Sequence, residues 1–306
     1  MNPSIVQSEN QKISHPLLEE KGISLYVKRE DRIHPLISGN KFRKLKYNVE
    51  EAKRTNLSTL LTFGGAYSNH IIATACAAKE NSLQSIGVIR GEELAFLWQE
   101  NPTLTKAAAL GMQLKFIARS EYREKHSSTF NDRLKEKFGE FYLLPEGGTN
   151  DLAVKGCTEI LTENDLGFDV VCSSVGTGGT IAGIINASAA QQQIIGFPAL
   201  KGDFLKEDIR KFAFKSNWSL QNDYHFGGYA KVTALLIKFM NDFRSRTQIP
   251  LDPVYTAKMM YGIFDMVKKG LFKPHTKILA IHTGGLQGIQ GMNLILGKKK
   301  LPLIEV

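Results

Sequence analysis

The chain has 306 residues, 42% hydrophobic and 23% charged, the balance of an ordinary soluble globular protein with room for one large α/β domain or two smaller ones. A net charge of +9 invites a nucleic-acid reading, but the 39 basic residues are scattered among 30 acidic ones, and the one tight run, Lys298-Lys299-Lys300, reads as a solvated tail, so no nucleic acid is expected. Three widely spaced cysteines argue against a disulfide framework or a zinc site, and neither a signal-peptide core nor a spanning apolar run is present, which gives the expectation of a cytoplasmic protein without metal or membrane anchor.

In chain order, "SLYVKRE" (24–30) reads as the first strand. "NKFRKLKYNVEEAKR" follows as a helix with Phe42, Leu45, Val49 and Ala52 along one face. Its start, "SGNKFRKL" (38–45), is unusual because Lys41 stands just behind a Ser-Gly-Asn turn, at the positive end of the peptide dipole. An ammonium group is disfavoured there, and helix starts prefer Asp and Glu. A lysine whose pKa is depressed by dipole and burial is a nucleophilic amine at neutral pH.

The strand "STLLTF" (58–63) runs into "TFGGAYSNHIIATA" (62–75), where Ser68 or a neighbour caps a helix carrying Asn69 and His70 in its first turn. Capping alone would explain Ser68, and a single histidine is more often structural. Four polar residues in succession after two glycines nevertheless carry more function than a cap requires. "SIGVIR" (85–90), "QLKFIA" (113–118), "FYLLP" (141–145) and "FDVVCSSV" (168–175) read as further strands, with helical "TLTKAAALG" and "LAVKGCTEILTENDL" between them.

"SVGTGGTIAGI" (174–184) is a strand, a glycine-rich turn and an apolar helix. Gly176, Gly178 and Gly179 let several N–H groups face one point, and Thr177 and Thr180 add hydroxyls at the positive end of the helix dipole, a phosphate cradle. It is a poor dinucleotide fingerprint, because position 181 is Ile and no acidic residue closes the next strand, "QIIGFPA" (193–199). Residues 200–230 break the alternation, as a lobe edge or a loop over a site would. In "LDPVYTAKMMYGI" (251–263), Pro253 fits the first turn of a helix, with Tyr255 and Thr256 nearby; spacing alone leaves Tyr255 as core packing. "KILAIH" (277–282) leads into "IHTGGLQG" (281–288), where Thr283 precedes a Gly-Gly turn that is weak evidence by itself.

Regular β-α alternation with continuous apolar strands predicts parallel sheets covered by helices on both faces. Ligands in such sheets bind where strands end and helices begin. A nucleophilic lysine beside a phosphate cradle without nucleotide features points to pyridoxal phosphate, its phosphate in the glycine loop and its aldehyde on Lys41 as a Schiff base.

Taken in order, "SGNKFRKL", "GGAYSNH", the Gly/Thr loop, "LDPVYTAK" and "HTGG" resemble the 1-aminocyclopropane-1-carboxylate deaminase / D-cysteine desulfhydrase family over residues 15–290. The resemblance implies an α/β, two-lobed fold of pyridoxal-phosphate fold type II, tryptophan synthase β-like. It implies a large lobe of 1–43 and 148–306, a small mobile lobe of 44–147, and a homodimer. Lys41 becomes the Schiff-base lysine, Asn69 the partner of the cofactor's phenolic oxygen, and the loop 176–180 the phosphate site. Ser68 lies close to the substrate carboxylate and α-carbon, with Asn69, His70 and Thr283 on the substrate side. Tyr255 abuts the pyridine ring, and Tyr229, in "FGGYAKV", is the second active-site tyrosine.

In the deaminase branch, Glu follows the first tyrosine and the turn reads "HLGG"; here Thr256 and Thr283 occupy those places. A hydroxyl facing the ring nitrogen makes a weaker electron sink than a carboxylate does, sufficient for β-elimination with a good leaving group. The expectation is D-cysteine conversion to pyruvate, sulfide and ammonia. The alternative is ring opening of the cyclic substrate to 2-oxobutanoate. β-Replacement of the O-acetylserine sulfhydrylase kind and a non-catalytic phosphate-binding protein are more distant rivals.

Overall fold

The structure, a computed structural model, describes residues 7–202 and 204–306. Among these residues the strands are β1 Asn10–Ile13, β2 Ser24–Lys28, β3 Thr59–Gly64, β4 Gln84–Arg90, β5 Met112–Ile117, β6 Tyr142–Leu144, β7 Val170–Val175, β8 Gln193–Pro198, β9 Trp218–Leu220 and β10 Lys277–Ile281. The α-helices are α1 Pro16–Glu20, α2 Asn40–Arg54, α3 Asn69–Glu80, α4 Pro102–Ala109, α5 Arg119–Tyr122, α6 Ser128–Phe138, α7 Asp151–Thr158, α8 Gly179–Ala187, α9 Leu205–Arg210, α10 Ala234–Thr247, α11 Thr256–Lys268 and α12 Gly288–Lys298.

Two sheets result. The larger has the order β1-β2-β10-β7-β8-β9, parallel except for β1, which runs antiparallel to β2. The smaller, β5-β4-β3-β6, is wholly parallel. β7 sits inside the larger sheet and is buried along its whole length, as its apolar "VVCSSV" requires. The main core packs Leu25, Val27, Phe197, Ile263 and Ile278 between that sheet and helices α10–α12. β3, also buried, carries Leu61 and Phe63 toward Phe130 and Leu134 of α6, and Leu60 toward Leu45 and Val49 of α2.

The expected strands all form, with ends shifted by a residue or two. Two short ones escaped the sequence reading. β1, "NQKI", is half polar because it lies at an edge. β9 lies in the stretch 200–230, where the alternation continues in compressed form through the six-residue α9. That stretch therefore continues the β-α pattern to a sheet-edge strand, where a break in the alternation was expected. Helix α11 corrects another expectation: it begins at Thr256, so Pro253 stands in the preceding turn and not in the first helical turn. Asp252 drives this by accepting the N–H groups of Val254 and Tyr255 at 3.1 and 2.6 Å, closing a turn before the helix can start.

Candidate active site

α2 begins on a strained turn. Gly39 has φ 62° and ψ −136°, a conformation closed to other residues. A Cβ there would run into the Thr283 carbonyl, which accepts the Asn40 N–H at 3.3 Å. The Ser-Gly-Asn turn and the His-Thr-Gly-Gly turn, far apart in sequence, thus interlock at the C-terminal end of β10.

From this turn, Lys41 Nζ donates to Asn40 Oδ1 at 3.1 Å, and Asn40 Nδ2 donates to Thr180 Oγ1 at 2.8 Å. The lysine and the glycine-rich loop therefore share one carboxamide. Burial, reinforced by the Lys44 ammonium, lowers Lys41 to about 7. Lys44, one turn further along α2, donates to Gly147 O and Thr149 Oγ1 at 2.9 Å and lies 3.5 Å from Thr177 Oγ1; burial lowers it to about 8. Thr149 and Thr177 hydroxyls meet at 2.6 Å. Gly178 is left-handed, φ 82°, and α8 starts at Gly179, so its first N–H groups lack intrahelical acceptors beside Thr177 and Thr180, the residues that Lys44 and Asn40 reach.

Ser68 caps α3, accepting from the His70 N–H at 3.3 Å. His70 is fully buried, both ring nitrogens lack hydrogen-bond partners among the described residues, and its ring rests on Gly148. Burial first, then Lys41 and Lys44, hold it well below its ordinary value, so its imidazole is neutral. Asn69 Oδ1 is likewise buried without a partner among the described residues. The Tyr255 ring lies against Gly176, where a Cβ would be 3.1 Å from Cε1, and meets the Tyr229 ring edge-on at 6.2 Å between centroids. Burial raises both phenols. The Thr256 hydroxyl is committed to the turn, accepting the Asp252 N–H at 2.7 Å. Thr283 pairs with Ser174 Oγ at 3.2 Å across the ends of β10 and β7.

Two desolvated amines, a cradle of free N–H groups, an aromatic face and several orphaned buried polar atoms fit an anionic aldehyde with a flat ring. The model of the family described as "Pyridoxal-phosphate dependent enzyme" matches residues 10–284. The chain belongs to this family.

It is therefore a pyridoxal-phosphate dependent enzyme of fold type II, the tryptophan synthase β-like fold. The bifunctional D-cysteine desulfhydrase/1-aminocyclopropane-1-carboxylate deaminase of Arabidopsis thaliana is 33% identical over 88% of this chain and 74% of its own length. A D-cysteine desulfhydrase of Serratia proteamaculans is 28% identical over 86% of this chain and 87% of its own. A solved structure described as an ACC deaminase homologue matches with a TM-score of 0.79 and 27% identity, covering 98% of both chains.

Several residues of this pyridoxal-phosphate enzyme were not singled out by sequence. Asn40 lay within the quoted turn without a role. Lys44 carried a legible signal, its spacing of three from Lys41 on one helix face. Thr149, Ser174 and Asp252 carried none, because only the tertiary fold brings them to the site.

Proposed function

We propose that the enzyme eliminates sulfide from D-cysteine, giving pyruvate, sulfide and ammonia. The observation that carries this reading is the Asn40 carboxamide shared by Lys41 and Thr180, which sets an amine of pKa about 7 beside an anion cradle. The relatives described above carry desulfhydrase and deaminase names alike; the threonine at 283 and the lack of a carboxylate at 256 support elimination over ring opening.

Bound pyridoxal phosphate supplies an aldehyde for amines and an electron-withdrawing ring that stabilises charge at the α-carbon. Lys41 is the amine that would hold the aldehyde. About half of its free amine is neutral near pH 7, so its Nζ could take the substrate's α-proton. The loop 176–180 and Lys44 would hold the phosphate, and Asn69 the phenolic oxygen. Ser68 and the first N–H groups of α3 would bind the substrate carboxylate, with His70 and Thr283 lining the same space. Tyr229 and Tyr255, held protonated across the working range because burial raises both, would give a proton to departing sulfur.

Strands β3 to β6 all fall within 44–147, which supports treating that segment as a small lobe closing on the rest, excluding water. The same reading includes a homodimer, which sedimentation would test. It also includes a cytoplasmic location, testable by cell fractionation; none of the helices among the described residues is long and apolar enough to cross a membrane. The deciding experiment compares turnover of D-cysteine, L-cysteine, D-serine and 1-aminocyclopropane-1-carboxylate. Sulfide from D-cysteine without 2-oxobutanoate from the cyclic substrate supports the reading. The reverse pattern replaces it with the deaminase.

A further inference from the structure

Asp252 closes the turn before α11 with only one carboxyl oxygen. Oδ1 accepts the N–H groups of Tyr255 and Val254 at 2.6 and 3.1 Å. Oδ2 is buried without a partner among the described residues, and the side chain is 1% exposed. A bare carboxylate oxygen in such a place is costly.

A second orphan lies at the same glycine turn. Asn69 Oδ1, in the first turn of α3, is also buried and unpartnered among the described residues. Both side chains converge on the start of α12 and the turn before it. A Cβ on Gly285 would sit 2.6 Å from Asn69 Nδ2 and 3.1 Å from Asp252 Oδ2. One on Gly288 would sit 3.7 Å from Asp252 Oδ2 and 3.9 Å from Asn69 Oδ1. Two acceptor oxygens cannot satisfy each other, but a single proton between them satisfies both.

We propose that Asp252 is a positioning residue: it carries a proton on Oδ2 and donates it to Asn69 Oδ1, turning the carboxamide so that its NH2 faces the cofactor's phenolic oxygen. The inference rests on the role given to Asn69 above. An ionised Asp252 would instead attract the Asn69 NH2 and turn its carbonyl toward an oxygen that is itself an acceptor. The environment favours the acid form. Burial raises the carboxyl to about 7, against the opposing pull of the backbone N–H groups at Oδ1 and of Lys258. The other ionisable groups that feel Asp252 are Lys41 of α2 and the phenols of Tyr229 and Tyr255. One carboxyl group thereby sets two contacts at once, Asn69 through Oδ2 and the Tyr255 turn through Oδ1.

Infrared difference spectra of the holoenzyme, wild type minus Asp252→Asn, read the proton directly. The expected result is a protonated-carboxyl C=O band at pH 6 that belongs to the wild type alone and is gone by pH 9. The pyridoxal phosphate dissociation constant is then measured for Asp252→Ala, Asn69→Ala and the double variant. Each single change should weaken binding by about tenfold, and the double variant should be no worse than the poorer single one. Asp252→Asn, whose amide can donate in the proton's place, should stay within about threefold of wild type. The spectra need only this near-isosteric variant, so they decide the matter even if Asp252→Ala does not fold. Absence of the band at pH 6, its persistence in Asp252→Asn, or additive losses in the double variant each overturn the proposal. A wild-type protein that takes up no pyridoxal phosphate overturns the cofactor assignment first, and this inference with it.

Discussion

Asn40 is tied to Thr180 by a 2.8 Å hydrogen bond from its amide nitrogen, while its carbonyl oxygen accepts from Lys41 at 3.1 Å. The bond to Lys41 favours the charged amine, so its loss lowers the lysine's pKa further. Asn40→Ala should shift the acid limb of the kcat profile, which reports groups in the substrate complex, to lower pH. It should also cut the plateau by roughly ten- to a hundredfold through misplacement of the amine. pH-rate profiles on D-cysteine check both effects, and an unmoved acid limb would sink the linkage.

Lys44 acts on Lys41 in the opposite sense. Its ammonium is the second cause, after burial, of the low Lys41 value. Lys44→Met should therefore raise Lys41 and move the acid limb to higher pH. Loss of a cation beside Thr177 should weaken pyridoxal phosphate binding by at least about tenfold. Cofactor titration followed by absorbance measures the second effect independently of the first.

The depressed lysine also shapes stability. Lys41 falls from 10.5 to about 7 in the folded chain, so between those values the unfolded state binds more protons. Stability of the cofactor-free protein accordingly rises with pH across that window, and below about 7 the destabilisation is complete. Lys41→Met removes this contribution. Its melting temperature should exceed that of the cofactor-free wild type at pH 7, with the gap narrowing toward pH 10. Thermal scans at several pH values test the slope.

Ser68 combines a cap with a proposed substrate contact, and two substitutions separate them. Ser68→Gly keeps most of the capping energy, whereas Ser68→Ala loses about 1 kcal/mol. If the hydroxyl binds substrate, both variants raise KM for D-cysteine alike although only Ser68→Ala is destabilised. A KM change that follows stability would reduce Ser68 to a cap.

Gly39→Ala tests the interlocked turns. The backbone conformation by itself costs an alanine about 1–3 kcal/mol, and its Cβ would collide with the Thr283 carbonyl. Denaturant unfolding should show a loss at or above that range, with activity lost even where the protein folds.

Much of this was legible in the chain. Continuous runs such as "VVCSSV", short and bounded by a glycine turn, read as strands buried on both faces, and the helix over 40–54 follows from the spacing of Phe42, Leu45, Val49 and Ala52, all buried. The edge strand β9 was hidden because three half-buried residues in a chain segment carry no periodicity.

The chain alone determined the α/β alternation, the lysine behind a strained turn and the anion cradle at 176–180, because backbone bending and helix-end polarity are local properties of a few consecutive residues. Only the tertiary structure decided that Asn40 joins Lys41 to Thr180, that Lys44 reaches the same loop, and that Asp252 and Asn69 both reach the turn before α12. Those pairings depend on where separate strand ends meet. The same meeting excludes water, and that desolvation sets the protonation of every group it encloses.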